Sequence, residues 1–255
     1  MNNYRETACK MHQLNPSWTE QTKTQYIKHA LRETQTHKTL NHPNIVKLYE
    51  TFELDQNTLC TILEYCNGPD LSLYLKQNKI MQEKDAKMIM KQILYGLKYL
   101  HENQRKIIHY DLKPQNILFH MGEIKITDFG LCKVMESNTN GLELTSQGVG
   151  TYWYLPPECF EMGENPPKIT TKVDIWSVGV IFYEMVFGEK PFGNNMSQEK
   201  ILKEQVILSV DGVKFPQKPN ISNECKEFIA NCLFKAPEKR WDVNACLNSA
   251  YLNKK

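Results

Sequence analysis

The stretch from 107 to 130, "IIHYDLKPQNILFHMGEIKITDFG", constrains this chain more than any other. Its second half reads as a β-hairpin. Ile117 to Phe119 form one arm, His120 to Gly122 the turn, and Ile124 to Thr127 the other arm. The apolar arms need a core, and polar residues crowd the open end. Asn116 and Asp128 each lie six positions from Gly122, so a turn centred there opposes their side chains at about 5 Å. An amide oxygen and a carboxylate at that separation make an oxygen clamp for Mg²⁺, which takes few protein ligands and keeps waters or phosphates. Asp111, a few residues earlier, can accept a proton from an attacking hydroxyl at the same mouth. Lys113 can offset charge on a migrating phosphoryl group. A base, a cation and a metal clamp together suit phosphoryl transfer, where positioning and electrostatics do nearly all the work.

The chain of 255 residues, 41% hydrophobic, has enough apolar material for a sizeable core in one large domain or two lobes. A net charge of +2, from 31 basic and 29 acidic residues, leaves no nucleic-acid footprint. The polar opening "MNNYRETACK" has no signal-peptide character. The most apolar segment, 175–183, is too short to span a bilayer. No pair among the eight cysteines has C-x-x-C spacing, so buried thiols in a reducing intracellular compartment are expected rather than a zinc or disulfide framework.

Strands are expected at 6–12, 44–52 and 57–65. Between the first two, Tyr26, Ala30, Glu33 and His37 step by four, three and four along one helical face, which Ile27 and Leu31 widen. Glu33 thus lies on or beside the apolar stripe, where a buried partner is expected, and Lys10 is the candidate. "NGPDL" (67–71) reads as a hinge. Beyond it Ala86, Ile89, Ile93, Leu97 and Leu100 mark a core-facing helix, and further helices are expected over 172–187, 198–208, 223–234 and 243–247.

"HYDLKPQN", "DFG" and "PPE", in that order, followed by "DIWSVGV" and Arg240, resemble the protein-kinase signature set. "LTSQGVGTYWYLPPECF" and "PPKITTKVDIWSVGVIF" are similar to the catalytic domain of the Tousled-like serine/threonine kinases. The resemblance runs from Ala8 to about Leu252. It implies an α+β, bilobal kinase-like fold, with an incomplete β-rich N-lobe (1–66) and a larger, mainly helical C-lobe (67–255). It implies ATP and Mg²⁺ as cofactors, a protein substrate (histone chaperones, for that family) and a nuclear location, with no direct contact to nucleic acid or membrane. By resemblance, Lys10 holds the α- and β-phosphates and Glu33 is its helix partner. Asp111 is the catalytic base, Lys113 the phosphate-side cation, and Asn116 and Asp128 hold the metal. Leu63 is the gatekeeper and Glu64 to Cys66 the hinge that meets adenine, with Ala8 and Leu118 sandwiching the ring. Lys113 and Thr151 imply serine/threonine specificity.

Structural roles are expected for four other groups: His109 packed under Phe129, Glu158 paired with Arg240, Asp174 capping the backbone at His109 and Tyr110, and Thr151 bonded to Asp111 and Lys113. Thr145, Ser146 and Thr151 are further candidates for phosphorylation. Three departures from the kinase pattern stand out. Tyr110 replaces an arginine that docks a loop phosphate, which argues against that mode of activation. Gln115 replaces a glycine and is expected to face solvent. No G-x-G-x-x-G is present and only seven residues precede Ala8, so the strand carrying Lys10 is expected to be an exposed edge. A missing phosphate-covering loop costs at least the ~3 kcal/mol of one lost active-site donor. A catalytically silent binding module is therefore the alternative expectation. A small-molecule kinase is a weaker one, because "PPE" and "DIWSVG" build a peptide side. The dimerising coiled coil typical of Tousled-like kinases is not seen in this chain.

Overall fold

A computed structural model describes residues 6–55, 57–135, 141–142, 150–161 and 167–254. The N-terminal part is a three-stranded antiparallel sheet, ordered β1-β3-β2, from β1 (Thr7–Gln13), β2 (Leu48–Asp55) and β3 (Thr58–Glu64). Along β1 burial alternates, with Ala8, Lys10 and His12 facing inward and Thr7, Cys9, Met11 and Gln13 exposed, as a strand with one covered face requires. Helix α1 (Glu20–Lys38) provides that cover. The Thr19 hydroxyl caps it by accepting the Thr22 N–H.

The stripe that α1 buries is narrower than the spacing predicts. Ala30, Thr34 and His37 are buried, whereas Ile27 and Leu31 stay 37% and 40% exposed. Thr34 is tolerated inside because its hydroxyl donates to the Leu31 carbonyl at 2.9 Å. The second strand begins four residues later than expected. Ile45 makes only an isolated bridge to Ile126, because 42–46 turns inward to meet the hairpin instead of running along the sheet.

Asp70 caps α2 (Leu71–Asn78), which the sequence reading did not delimit. Just before it Gly68 lies so close to Phe119 that a Cβ would come within 2.7 Å of the Phe119 carbonyl oxygen. Helix α3 (Glu83–His101) buries all five predicted residues, and it packs on α4 (Lys172–Phe187), α7 (Val243–Asn248) and the hairpin. Almost all of α4 is buried, so it forms the axis of the helical body. The remaining elements are shorter than or additional to those expected. Helix α5 (Gln198–Lys203) stops at Glu204, ahead of Gln205 at φ +50°; α6 (Asn223–Cys232) follows, and a short α8 (Ala250–Asn253) closes the chain.

The loop 109–116 is framed by β4 (Ile107–Ile108) paired with β7 (Lys133–Val134), and by the hairpin β5 (Ile117–His120) and β6 (Glu123–Ile126). The hairpin register differs from the expected one by one residue. His120 pairs with Glu123 around a two-residue turn, Met121–Gly122, with φ +49° and +84°, the left-handed pair that matches strand twist. Asn116 therefore stands across from Thr127, whose N–H donates to its carbonyl at 3.0 Å, and Asp128 lies one residue beyond. All eight cysteines are free thiols, and five are buried; Cys9 is exposed, Cys66 and Cys132 intermediate. Among the described residues no helix is long and apolar enough to cross a membrane.

Candidate active site

Two clusters of polar side chains face each other across the junction of sheet and helical body. In the first, inward alternation on β1 aims Lys10 at α1. Its Nζ donates to Glu33 Oε1 at 2.7 Å and to Asp128 Oδ1 at 3.3 Å. Burial alone would depress the Lys10 pKa, but the two carboxylates outweigh it and hold the ammonium above its ordinary range. For Asp128 burial works upward and the Lys10 charge and hydrogen bond outweigh it, so the carboxyl is held low. Asp128 sits at φ +66°, a strained backbone for a non-glycine residue, which turns it out of the hairpin toward Lys10. Gly130 lets Glu33 close in: a Cβ there would lie 3.2 Å from Glu33 Oε2. Leu48, Thr61 and Leu63 line the same cleft.

The second cluster centres on Asp111, which is nearly buried. Lys113 Nζ donates to its Oδ2 at 2.5 Å and the Thr151 hydroxyl to its Oδ1 at 2.9 Å, while Lys113 also reaches Thr151 at 3.0 Å. Asn116 Nδ2 donates to the Asp111 carbonyl at 2.9 Å. That bond orients the amide and leaves its Oδ1 without a donor among the described residues. The loop itself is held from below. Both carboxylate oxygens of Asp174, in the first turn of α4, accept backbone N–H groups, from His109 and Tyr110 at 2.9 Å each. His101 Nε2 also meets Asp174, at 2.8 Å. These contacts pay for Tyr110 at φ +69°.

An aromatic column ties the clusters together. The Phe129 ring lies 4.6 Å from that of His37 on α1 and 5.2 Å from that of His109. Each histidine places Nε2 at a carbonyl, His37 on Val46 at 2.6 Å and His109 on Thr127 at 3.0 Å, so both act as N–H donors there. Burial pushes the His37 pKa down, keeping the ring neutral.

The structure thus brings Lys10, Glu33, Leu63 and Asp128 into one cleft, and Asp111, Lys113, Asn116 and Thr151 into one hydrogen-bonded group. Ala8 stands directly across from Leu63 in the sheet, and Leu118 lies half-buried on β5. Glu64 has its carboxylate occupied, by Lys125 Nζ at 2.9 Å and the Lys47 N–H at 3.1 Å, and its own N–H donates to the Lys47 carbonyl at 2.8 Å, so its side chain is not available to a ligand. Burial raises the Cys66 thiol to about 11. The structural expectations for His109, Asp174, Thr151 and the Glu158–Arg240 pair hold. Arg240 meets Glu158 bidentately at 2.6 and 3.0 Å. Gln115 is exposed, with its amide 3.3 Å from Ser72. Thr145 and Ser146 lie outside the described residues. His37 was noticed as a face residue but not as part of the column. Its spacing of four from Glu33, on the buried side of the same helix, was the available signal.

Two oxygen donors, Asn116 Oδ1 and the Asp128 carboxylate, fit a hard divalent cation that keeps most of its shell for waters and phosphate. Among the described residues no three His, Cys, Asp or Glu side chains gather as an all-protein metal cage, which suits that partial site.

A catalytic loop capped from the helical body, a lysine–glutamate pair across sheet and helix, and an aspartate following the hairpin together define a protein kinase domain, and the family of that description matches residues 2–252; the chain belongs to it. Within that class it is 56% identical over 97% of its length to mouse serine/threonine-protein kinase tousled-like 1. It is 52% identical over 98% to TOUSLED of Arabidopsis thaliana, and 51% over 94% to tousled-like 1 of Caenorhabditis elegans. It spans 33%, 37% and 25% of those proteins, about a third of the length of the curated relatives it matches.

Proposed function

We propose that this chain transfers the γ-phosphoryl group of ATP to serine and threonine hydroxyls of proteins, in the manner of the Tousled-like kinases. The observation that carries this is the Asp111 carboxylate, shared between Lys113 and Thr151 beside the Asn116 amide. In the proposed reaction Asp111 orients the acceptor hydroxyl and takes its proton as the oxygen bonds to the γ-phosphorus and the bond to ADP breaks. Lys113 offsets the charge that spreads over the transferring group. Lys10, fixed by Glu33, holds the α- and β-phosphates, while Asn116 and Asp128 supply the protein oxygens for Mg²⁺, which offsets phosphate charge when bound. Residues 1–66 and 67–255 act as the two lobes around the nucleotide, with Ala8, Leu63 and Leu118 against the adenine and the backbone of Glu64 to Cys66 at its edge. The resemblance extends the proposal to histone chaperones as substrates and the nucleus as location.

The reading of a silent binding module gains no support: its relatives are curated as kinases, and the polar set of both clusters is present and connected. Asp111→Asn is expected to lower turnover by about 10²–10⁴-fold, the range of a lost general base. The same variant retains ATP–Mg²⁺ binding, seen as an unchanged thermal shift. Since a ligand at 100 times its Kd stabilises by about 2.7 kcal/mol, that shift is readily measured. A variant with wild-type turnover removes Asp111 from the mechanism.

A further inference from the structure

A groove runs from Thr151 and Gln115 along α2 to the end of α4, on the acceptor side of Asp111. It is joined to the proposed chemistry through the Thr151 hydroxyl, 2.9 Å from Asp111 Oδ1. Its floor is fixed, because the Ser177 hydroxyl on α4 donates to the Tyr154 carbonyl at 2.7 Å and Trp153 Nε1 to the Gly193 carbonyl at 3.0 Å. A groove that opens at the attacking hydroxyl and is built on a rigid floor receives the substrate chain.

Its charge is one-sided. Three lysines and one glutamate are the charged side chains of the lining. The glutamate is not available to a ligand: Glu184 Oε2 accepts the Tyr154 hydroxyl at 2.6 Å and Oε1 accepts Lys190 Nζ at 3.1 Å. The Glu184 and Lys190 charges cancel. The other two lysines, Lys76 and Lys79, are exposed on the last turn and cap of α2, and neither ammonium has a partner among the described residues. The nearest acid on that helix, Asp70, is spent on the cap at its far end, accepting the Leu73 N–H at 2.8 Å. The groove therefore offers two free cations and a neutralised acid.

We infer that this chain selects protein substrates with anionic side chains flanking the acceptor hydroxyl, read by Lys76 and Lys79, and that the Tyr154–Glu184–Lys190 bridge turns away basic flanks. The inference rests on the phosphoryl-transfer reading and adds a substrate class to it. Glutamate, aspartate and phosphoserine share the chemistry.

The test uses the full chain and four peptides around one serine, flanked by glutamine, glutamate, phosphoserine or arginine. The glutamate peptide is expected to exceed the arginine peptide in kcat/KM by roughly tenfold, the product of a few exposed charge pairs, mostly through KM, with the ratio shrinking as salt rises. A phosphoserine peptide well above the glutamate peptide identifies primed substrates, and equality identifies acidic sequence. The double variant K76E/K79E is expected to invert the ratio, and Lys190→Ala, by freeing Glu184, to raise kcat/KM for the arginine peptide alone. An arginine preference in the wild type, or a glutamate preference that survives K76E/K79E, overturns the inference. Fluorescence anisotropy with the same labelled peptides reads affinity without turnover. Lysine-dependent binding of acidic peptides with no phosphorylation of any peptide overturns the phosphoryl-transfer reading and leaves the groove assignment standing.

Discussion

Two ion pairs of nearly equal length do opposite work in this molecule. Lys10 meets Glu33 at 2.7 Å and Arg240 meets Glu158 at 2.6 Å. The first pair is 38% and 12% exposed; the second, 0% and 3%. Around Arg240 every donor is used. Beyond the two bonds to Glu158, its guanidinium donates to the carbonyls of Phe234, Lys172 and Lys235 at 3.0, 3.0 and 3.2 Å, and it lies 5.0 Å from the Trp176 ring. Lys10 instead divides one ammonium between two carboxylates at the rim of an open cleft. Distance alone therefore does not rank the pairs. Desolvation and the number of satisfied donors do: the buried pair staples the helical body, and the half-exposed one is the pair that, in the proposed reaction, exchanges a carboxylate for a ligand phosphate.

The largest effect expected from this contrast is at the buried pair. Arg240→Ala leaves Glu158 charged and unpaired in the interior and is expected to cost about 3–5 kcal/mol, seen as a lower denaturant midpoint. Arg240→Lys keeps the charge but not the bidentate fork, so it is expected to recover only part of that loss. A loss as small as that of an exposed pair would erase the distinction drawn here. Lys10→Met, at the other pair, is expected to cost only about 1 kcal/mol in unfolding, since solvent screens the charges it removes. It should nonetheless abolish the thermal shift produced by ATP and Mg²⁺. A large stability loss with nucleotide binding intact would reverse the two assignments.

The smallest effect is a pH dependence between the pairs, in the aromatic column. Burial lowers the folded-state pKa of His37 below its ordinary 6.5, with the Val46 carbonyl opposing. Above about pH 6.5 the ring is neutral in both folded and unfolded chains and stability is full. As the pH falls, the unfolded chain binds the proton first, and stability is lost progressively until the folded ring titrates as well. His12 and His42 are lowered by burial too and share the slope. His37→Leu should therefore flatten, but not remove, the decline in unfolding free energy between pH 7.5 and 5. An unchanged slope would exclude His37 from it.

How legible this molecule was in its sequence varies by region, for physical reasons. Helix α3 was readable because three- and four-residue apolar spacing persists from Ala86 to Leu100, and α4 because a nearly continuous apolar run too short to span a bilayer reads as a buried core helix. Lys10 with Glu33, and Asp174 under the His109 loop, were legible as polar groups on otherwise apolar faces or within a matched motif. The hairpin register was not. A turn of "HMG" permits two centres, and only the left-handed backbone at Met121 and Gly122 decides between them; the cost was a false opposition of Asn116 and Asp128. Ile27 and Leu31 misled because apolar side chains carry no record of which flank of a helix is covered. The closed state of Glu184 was illegible too, since it depends on Lys190 returning from a loop six residues further along.

The grip of Asp174 on the His109–Tyr110 backbone means that the acceptor end of the site is anchored to the most deeply buried helix, independently of the sheet. The Lys10–Glu33 pair is held differently: it rides on β1 and α1 and meets the body through Asp128 and the packing of His37 on Phe129. In the proposed reaction a displacement of α1 would therefore disturb the Lys10–Glu33 pair before it disturbed the Asp111 group, whose loop α4 holds through Asp174.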